Sequence, residues 1–217
     1  MLPLTDALSN ALLSELSRTA AATLSWEPVA LAAGVLPRSA SRDFVYFPCS
    51  GLMCLHCGDG GRVEVAVVGH TGSTGLALAR LDSSVVLEGH GWRVPRAALR
   101  GAARSCEHVD ALLAADSDSL LGQMIEHLAA ATRASVIQRV AHWLLAAEAH
   151  SGTDSFRITH EMLAALLAVR RSGVTVALHH LEGSGAIGAR RYRVVIRDRS
   201  KLRAAAEAFR LVDTERA

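Results

Sequence analysis

Two adjacent arginines, Arg170 and Arg171, followed by Ser172, Thr175 and His179, are the residues of this chain best suited to meeting a polyanion. Val174, Ala177, Leu178 and Leu181 recur around them at helical spacing, so a helix over about Arg171–Leu181 would bury those four and present the polar set. The start of such a helix is unfavourable by itself. Uncompensated positive charge at a helix N-terminus costs about 0.3–1 kcal/mol per charge, and Gly173 inside the helix costs roughly another 1 kcal/mol relative to alanine. Both make sense if a polyanion approaches closely, because guanidinium groups can reach phosphates or the O6/N7 edge of guanine. Upstream, Thr159 reads as the N-cap of a short helix carrying Met162, Leu163, Leu166 and Leu167, and Ala168-Val169-Arg170 is long enough only for a tight turn. The pair reads as a helix-turn-helix whose second helix enters a DNA major groove. Taken alone, the same residues also fit an ordinary helical hairpin with solvated arginines.

The residues beyond this helix favour DNA. Gly183-Ser184-Gly185-Ala186-Ile187 ends the helix, Arg190-Arg191-Tyr192-Arg193 reads as a basic hairpin tip, and Val194-Val195-Ile196 is a short apolar strand. Two helices and a basic hairpin make a winged helix, in which Arg190, Arg191 and Arg193 would hold backbone phosphates and fix register without reading sequence.

Other residues with chemical potential are weaker. Cys49, Cys54 and Cys57, with Cys106 distant, match in number the ligands of an iron–sulfur cluster. If Leu52–Cys57 is a strand, however, Cys54 and Cys57 point to opposite faces about 10 Å apart, too far for neighbouring ligands. Core or redox-sensitive thiols fit better. Cys54 and His56 would share a strand face and could ligate haem or a metal, although a buried thiol and a satisfied histidine explain them equally. His160-Glu161-Met162-Leu163-Ala164 lacks the second histidine of H-E-x-x-H, Gly69–Gly75 has no P-loop lysine, and there is no G-x-S-x-G. No catalytic constellation emerges, and no enzymatic activity is expected.

The elements that must position the arginines come from the rest of the 217 residues. No run approaches the roughly 18 consecutive apolar residues of a membrane span, and Met1–Asp6 has no basic segment before an apolar run. A soluble, cytoplasmic protein with reduced thiols and no membrane partner is expected. The net charge of +2 hides a division: residues 1–132 carry −4 and residues 133–217 carry +6. Such a split is what steering to nucleic acid by one domain requires. All basic residues but Lys201 are arginine.

Leu8, Leu12, Leu13 and Leu16 share a helical face near the N-terminus. Between Val29 and Val94, six short β-like runs (29–31, 44–47, 52–55, 63–68, 85–87, 92–94) are separated by Gly34, Pro48, Gly51, Gly58–Gly61 and Gly89–Gly91, which suggests a small antiparallel barrel or jelly roll. Gly58–Gly61 is the clearest hairpin turn. Pro95–Leu113 is helical in composition. Asp116 or Asp118 can cap a longer helix whose Leu121, Met124, Ile125, Leu128 and Thr132 form a narrow seam, suited to a two-fold partner or to a plain core. The fold class is therefore α+β: an N-terminal β-barrel or jelly-roll domain over 1–115, a connecting helix over 116–135 and a winged helix-turn-helix over 136–217.

That order of parts, with Tyr46-Phe47-Pro48-Cys49-Ser50-Gly51-Leu52, the Gly58–Gly69 hairpin and the run Thr159–Ala177, resembles the Crp/Fnr superfamily of bacterial transcription regulators. The resemblance implies a cytosolic homodimer that binds near-palindromic double-stranded DNA through two recognition helices, half-sites spaced about one helical turn apart, with RNA polymerase as a further partner and a signal received at a cyclic-nucleotide-binding-like domain. Three departures matter. Ser172 and Val176 stand where founding members carry a glutamate and an arginine on the base-reading face, so the target sequence should differ and Arg171 becomes the best candidate for direct readout. Ala168 stands where the family has a turn glycine. In the stretch Gly72–Ser84 the glutamate of the cyclic-nucleotide cassette is missing, and Arg80 and Ser83 are not adjacent, which argues against cyclic AMP. The effector is left open, with an iron–sulfur or haem sensor of the same fold, or a β-barrel protein whose C-terminal domain docks a protein, as the alternatives.

Overall fold

Between Glu27 and Pro95 short apolar runs rich in valine and leucine alternate with glycines, and there the chain folds into strands. The structure, a computed structural model, describes residues 9–20, 24–57, 63–76, 78, 80–190 and 192–207. It divides into two units, the first running to Gln123 and including His150–Gly152, the second comprising Met124–Ala149 and the chain from Thr153, together with the Val63–Glu64 strand start.

In the first unit, helix α1 (Ala11–Ala20) precedes strands β1 (Glu27–Leu31) and β2 (Gly34–Val35), a short helix α2 (Arg38–Asp43), and β3 (Phe44–Pro48), β4 (Leu52–Cys57), β5 (Val63–Val68), β6 (Asp82–Leu87) and β7 (Gly89–Pro95). The strands make two sheets, ordered β1-β7-β3 and β2-β6-β4-β5. Among the described residues no ladder joins the two sheets, so the expected barrel is open rather than closed. Each expected run is a strand; Gly34, Pro48, Gly89 and Gly91, expected as separators, instead lie in strands, Gly34 pairing with Val85, Gly89 with Leu31, and Gly91 with both Val29 and Pro48. The Gly58–Gly61 turn and Leu8 lie outside the described residues.

Side chains from the sheet β1-β7-β3 and from the helices close one core: Leu12, Leu13 and Leu16 of α1 meet Val45, Phe47, Trp92 and Val94. Trp26 packs edge-on against Phe47, with ring centroids 5.5 Å apart. Two polar side chains pin the loops around this core. Asn10 is fully buried; its Oδ1 caps α1 by accepting from Leu13 N at 2.8 Å, and its Nδ2 donates to the carbonyls of Pro48 (2.7 Å) and Gly72 (2.9 Å). Arg96, 7% exposed, opens helix α3 (Arg96–Ser105) and donates to the carbonyls of Arg42, Gly75, Leu76, Ser41 and Phe44. The planar fork of guanidinium donors suits five fixed acceptors as a lysine ammonium could not.

Helix α4 runs uninterrupted from Glu107 to Arg133. The cap expected at Asp116 or Asp118 is therefore not used, because Asp116 has other partners: its carboxylate accepts from Ser73 N (3.1 Å) and Ser73 Oγ (2.6 Å), in the loop after β5. Once its oxygens are occupied there, it cannot compete with the helix for backbone N–H groups. Helix α5 (Val136–Ser151) follows in the second unit, burying Val140, Trp143, Leu144 and Ala147. The indole of Trp143 donates to Glu64 Oε2 at 2.8 Å and packs edge-on against Phe156.

Replacing Arg96 by methionine should cost about 3–5 kcal/mol in urea unfolding, because five carbonyl acceptors lose their donor in a largely buried site. Arg96→Lys, able to satisfy at most three of them, should fall between that variant and the wild type.

Candidate nucleic-acid interface

In the second unit, β8 (Ser155–Phe156) leads to helix α6 (His160–Leu166), helix α7 (Arg171–Gly183), and the strands β9 (Ile187–Arg190) and β10 (Arg193–Ile196), closed by helix α8 (Arg199–Glu207). Thr159 caps α6 as expected, its side chain accepting from Met162 N at 3.0 Å. The two helices meet at 111°, within the range of helix-turn-helix units.

The turn owes its geometry to one residue. Ala168 is left-handed, with φ of 50°. Its N–H reaches the carbonyl of Ala165 and that of Val169 the carbonyl of Ala164, so α6 ends in a Schellman motif. Helix α7 ends the same way: Gly185, φ 74°, bonds to Glu182 and Ala186 to Leu181. The second motif uses glycine, the first an alanine that carries the Cβ penalty. Arg139 of α5 reinforces the first by donating to the Leu167 carbonyl.

Helix α7 buries Val174, Ala177, Leu178 and Leu181, the four apolar positions read from the sequence, and extends to Gly183. Arg170 occupies its N-cap position and makes no side-chain cap bond, and no acidic residue lies in the first turn. Arg170, Arg171, Ser172 and His179 are all exposed, and among the described residues no carboxylate pairs with either arginine. The first free backbone N–H groups and two unneutralised guanidinium groups thus share one helix end, an anion-binding arrangement. Gly173 has an ordinary right-handed backbone, and a Cβ there would meet Val136 Cγ1 at 3.6 Å, a normal contact.

Thr175 differs from the expectation of an outward hydroxyl. It is half-buried; its Oγ1 donates to the Arg171 carbonyl at 3.1 Å and lies 2.9 Å from His160 Nδ1. A hydroxyl has one hydrogen, and with both neighbours in reach it is engaged inside the protein. In the sequence His160 stands out only as half of an incomplete metal motif; the fifteen residues separating it from Thr175 leave no periodic signal.

The wing is a three-stranded sheet, β8-β10-β9. Arg193 pairs with Arg190 near the hairpin tip, and Tyr192 is exposed and left-handed, φ 61°. Arg190 and Arg193 are exposed on either side. Arg191, expected among the phosphate contacts, lies outside the described residues. β8, only two residues long after the short loop Gly152–Asp154, has no periodicity to announce it, and α8 is held by a paired contact of Arg199 to Glu148 at 2.9 and 2.5 Å.

The first unit contains a half-open cavity of about 340 Å³ lined by Leu12, Val67, Asp116, Ser119, Gln123 and His150, among others. Burial raises the pKa of Asp116 above the usual carboxylate range, against the two Ser73 hydrogen bonds, and burial together with His70 lowers that of His150. Of the cassette stretch, Ser83 and Ser84 are buried on β6 and Arg80 is exposed. Cys49 and Cys54 are buried, Cys57 is exposed and Cys106 half-buried. Among the described residues no three His, Cys, Asp or Glu side chains cluster as metal ligands. No single helix among them is long and apolar enough to cross a membrane.

Residues 138–205 match the Crp-like helix-turn-helix domain. The fold is that of solved structures described as Crp/Fnr-family transcription regulators. The chain is similar to a CRP-family transcriptional regulator, TTHB099, from Thermus thermophilus (17% identity, 83% of this chain and 96% of that one, TM-score 0.65). It also resembles FixK2 from Bradyrhizobium japonicum (19%, 84% and 96%, TM-score 0.62) and the CRP/FNR-family regulator TTHA1359 from Thermus thermophilus (22%, 83% and 98%, TM-score 0.60). Among curated protein sequences none matches the chain. Domain and fold together support a DNA-binding transcription regulator.

Ala168→Gly should raise stability by about 1 kcal/mol, by relieving the left-handed Cβ, and Gly173→Ala by up to roughly 1 kcal/mol, by adding helix propensity without a clash. Thermal unfolding of the two single variants measures both. A pH dependence follows from His150: its folded pKa lies below the unfolded value of about 6.5, so the unfolded chain takes up the proton first and stability falls as pH drops through 6.5. His150→Gln should shrink that fall in urea midpoints between pH 7.5 and 5.5. Asp116 acts with the opposite sign and in a more acidic window, opening at its raised folded value and closing near 3.8, where protonation favours the folded state.

Proposed function

We propose that this protein is a cytoplasmic, homodimeric transcription regulator that binds near-palindromic DNA through α7 and the wing. The observation that carries the reading is the exposed Arg170–Arg171 pair at the uncapped start of α7, with no carboxylate beside it among the described residues. Phosphates supply the missing negative charge, Arg171 reads a base edge, and Arg170, Ser172 and His179 flank it. Thr159 contributes as the cap that sets the start of α6. Arg190, Arg191 and Arg193 hold backbone phosphates from the wing. In this reading residues 1–115 form the sensor, 116–135 the connecting helix and 136–217 the DNA-binding domain.

Dimerisation is supported by α4, on which Leu121, Ile125 and Leu128 are 55%, 53% and 67% exposed at a spacing of four and three residues. Apolar side chains at that interval form a seam that a second copy of the helix can cover. A signal at the first unit acts by binding the DNA-competent and incompetent dimers with different affinity. RNA polymerase is the partner through which such a regulator would act.

Fluorescence anisotropy with a labelled random duplex pool at increasing salt tests the DNA reading. Affinity should fall steeply with salt; a protein that binds no duplex at any salt concentration is not a DNA-binding regulator. On a selected site, Arg171→Ala should lose about 1–3 kcal/mol of base discrimination, whereas Arg190→Ala should weaken all sequences alike and lower the salt slope by about 1.

A further inference from the structure

The face of α7 that meets DNA in this reading is less polar than its composition suggests. Val176 is 65% exposed, one turn beyond Ser172 and one turn before His179. In the free protein this isopropyl group buries little, and valine is a poorer helix former than alanine, so the position gains nothing from valine within the monomer fold. Beside it, the single hydroxyl hydrogen of Thr175 is engaged within the protein, with the Arg171 carbonyl at 3.1 Å and His160 Nδ1 at 2.9 Å from Oγ1. Thr175 cannot donate to a base acceptor without giving up that internal bond. The middle of the recognition face therefore has no free side-chain donor between Ser172 and His179, and an apolar group stands there instead.

A major groove presents donors and acceptors on every base pair but a single apolar group, the C5 methyl of thymine. We propose that Val176 is a specificity-determining residue that recognises thymine by contact with this methyl, in each half-site. The inference rests on the DNA-binding function proposed above. Along the helix axis Val176 lies about 6 Å from Ser172, roughly two base steps, so the thymine is read apart from the base addressed at the start of α7. Recognition here combines a charged contact from Arg171 with an apolar one a turn further on. Burying one methyl against an isopropyl group contributes on the order of a 4-fold preference per half-site.

The experiment uses the full-length protein and a duplex selected from a random pool, then replaces each thymine singly by deoxyuridine, which keeps every hydrogen-bonding group and removes only the methyl. Wild-type affinity should fall about 3- to 10-fold at one thymine per half-site and stay constant at the others. Val176→Ala should bind thymine and uridine duplexes equally at that position, while retaining the Arg171-dependent base preference and the salt slope. The exposed site makes unfolding of this variant a poor explanation for any loss, and its thermal midpoint provides the control. A selected half-site without thymine, equal binding of every uridine duplex by the wild type, or an undiminished uridine penalty in Val176→Ala would each overturn the assignment while leaving salt-dependent DNA binding intact. Absence of binding to any duplex would remove both proposals together.

Discussion

The 111° angle between α6 and α7 depends on a single left-handed alanine. With Ala168 at φ 50°, the chain reverses within three residues, the last carbonyls of α6 find donors, and α7 starts with its arginines outward. Any right-handed conformation at this residue would continue α6 and carry Arg170 and Arg171 elsewhere. The strain of a Cβ in that region is offset by neighbours: two backbone bonds of the Schellman motif, the Arg139 guanidinium on the Leu167 carbonyl, and the burial of Leu163, Leu166 and Leu167 behind the turn. The bond between His160 and Thr175 then ties the first residue of one helix to the second turn of the next.

The first unit is organised by a different device. Loops that the strands leave behind are gathered by two buried side chains, Asn10 and Arg96, whose partners are almost all backbone carbonyls. Short strands provide few ladder bonds per connection, and loops crossing a core bring carbonyls that must be satisfied. One guanidinium group meeting five of them does with one residue what would otherwise need several ordered waters.

Much of this is legible in the chain because it is periodic. The apolar positions of α7, the cap at Thr159, the wing strands and the main strands of the first unit all obey spacing rules that need no knowledge of distant residues. Spacing could not supply partners far away in sequence. Asp116 reads as a helix cap by type, yet Ser73, 43 residues earlier, occupies its oxygens and the helix runs through. Asn10 and Arg96 are ordinary letters until the carbonyls around them are in place. Thr175 reads as a base contact from its position on the polar face, and only the distance to His160 reveals that its hydroxyl is engaged. Val176, apolar on an exposed face, is the one visible departure from amphipathic order in that helix.

The guanidinium groups at the start of α7 and along the wing have a consequence for control. Arginine stays protonated across the physiological pH range and offers no amine for acetylation, so neither acidity nor the commonest neutralising modification can switch this surface off. Its charge is a constant. In the DNA-binding reading proposed above, control would therefore have to act on where this surface is placed and not on how strongly it is charged.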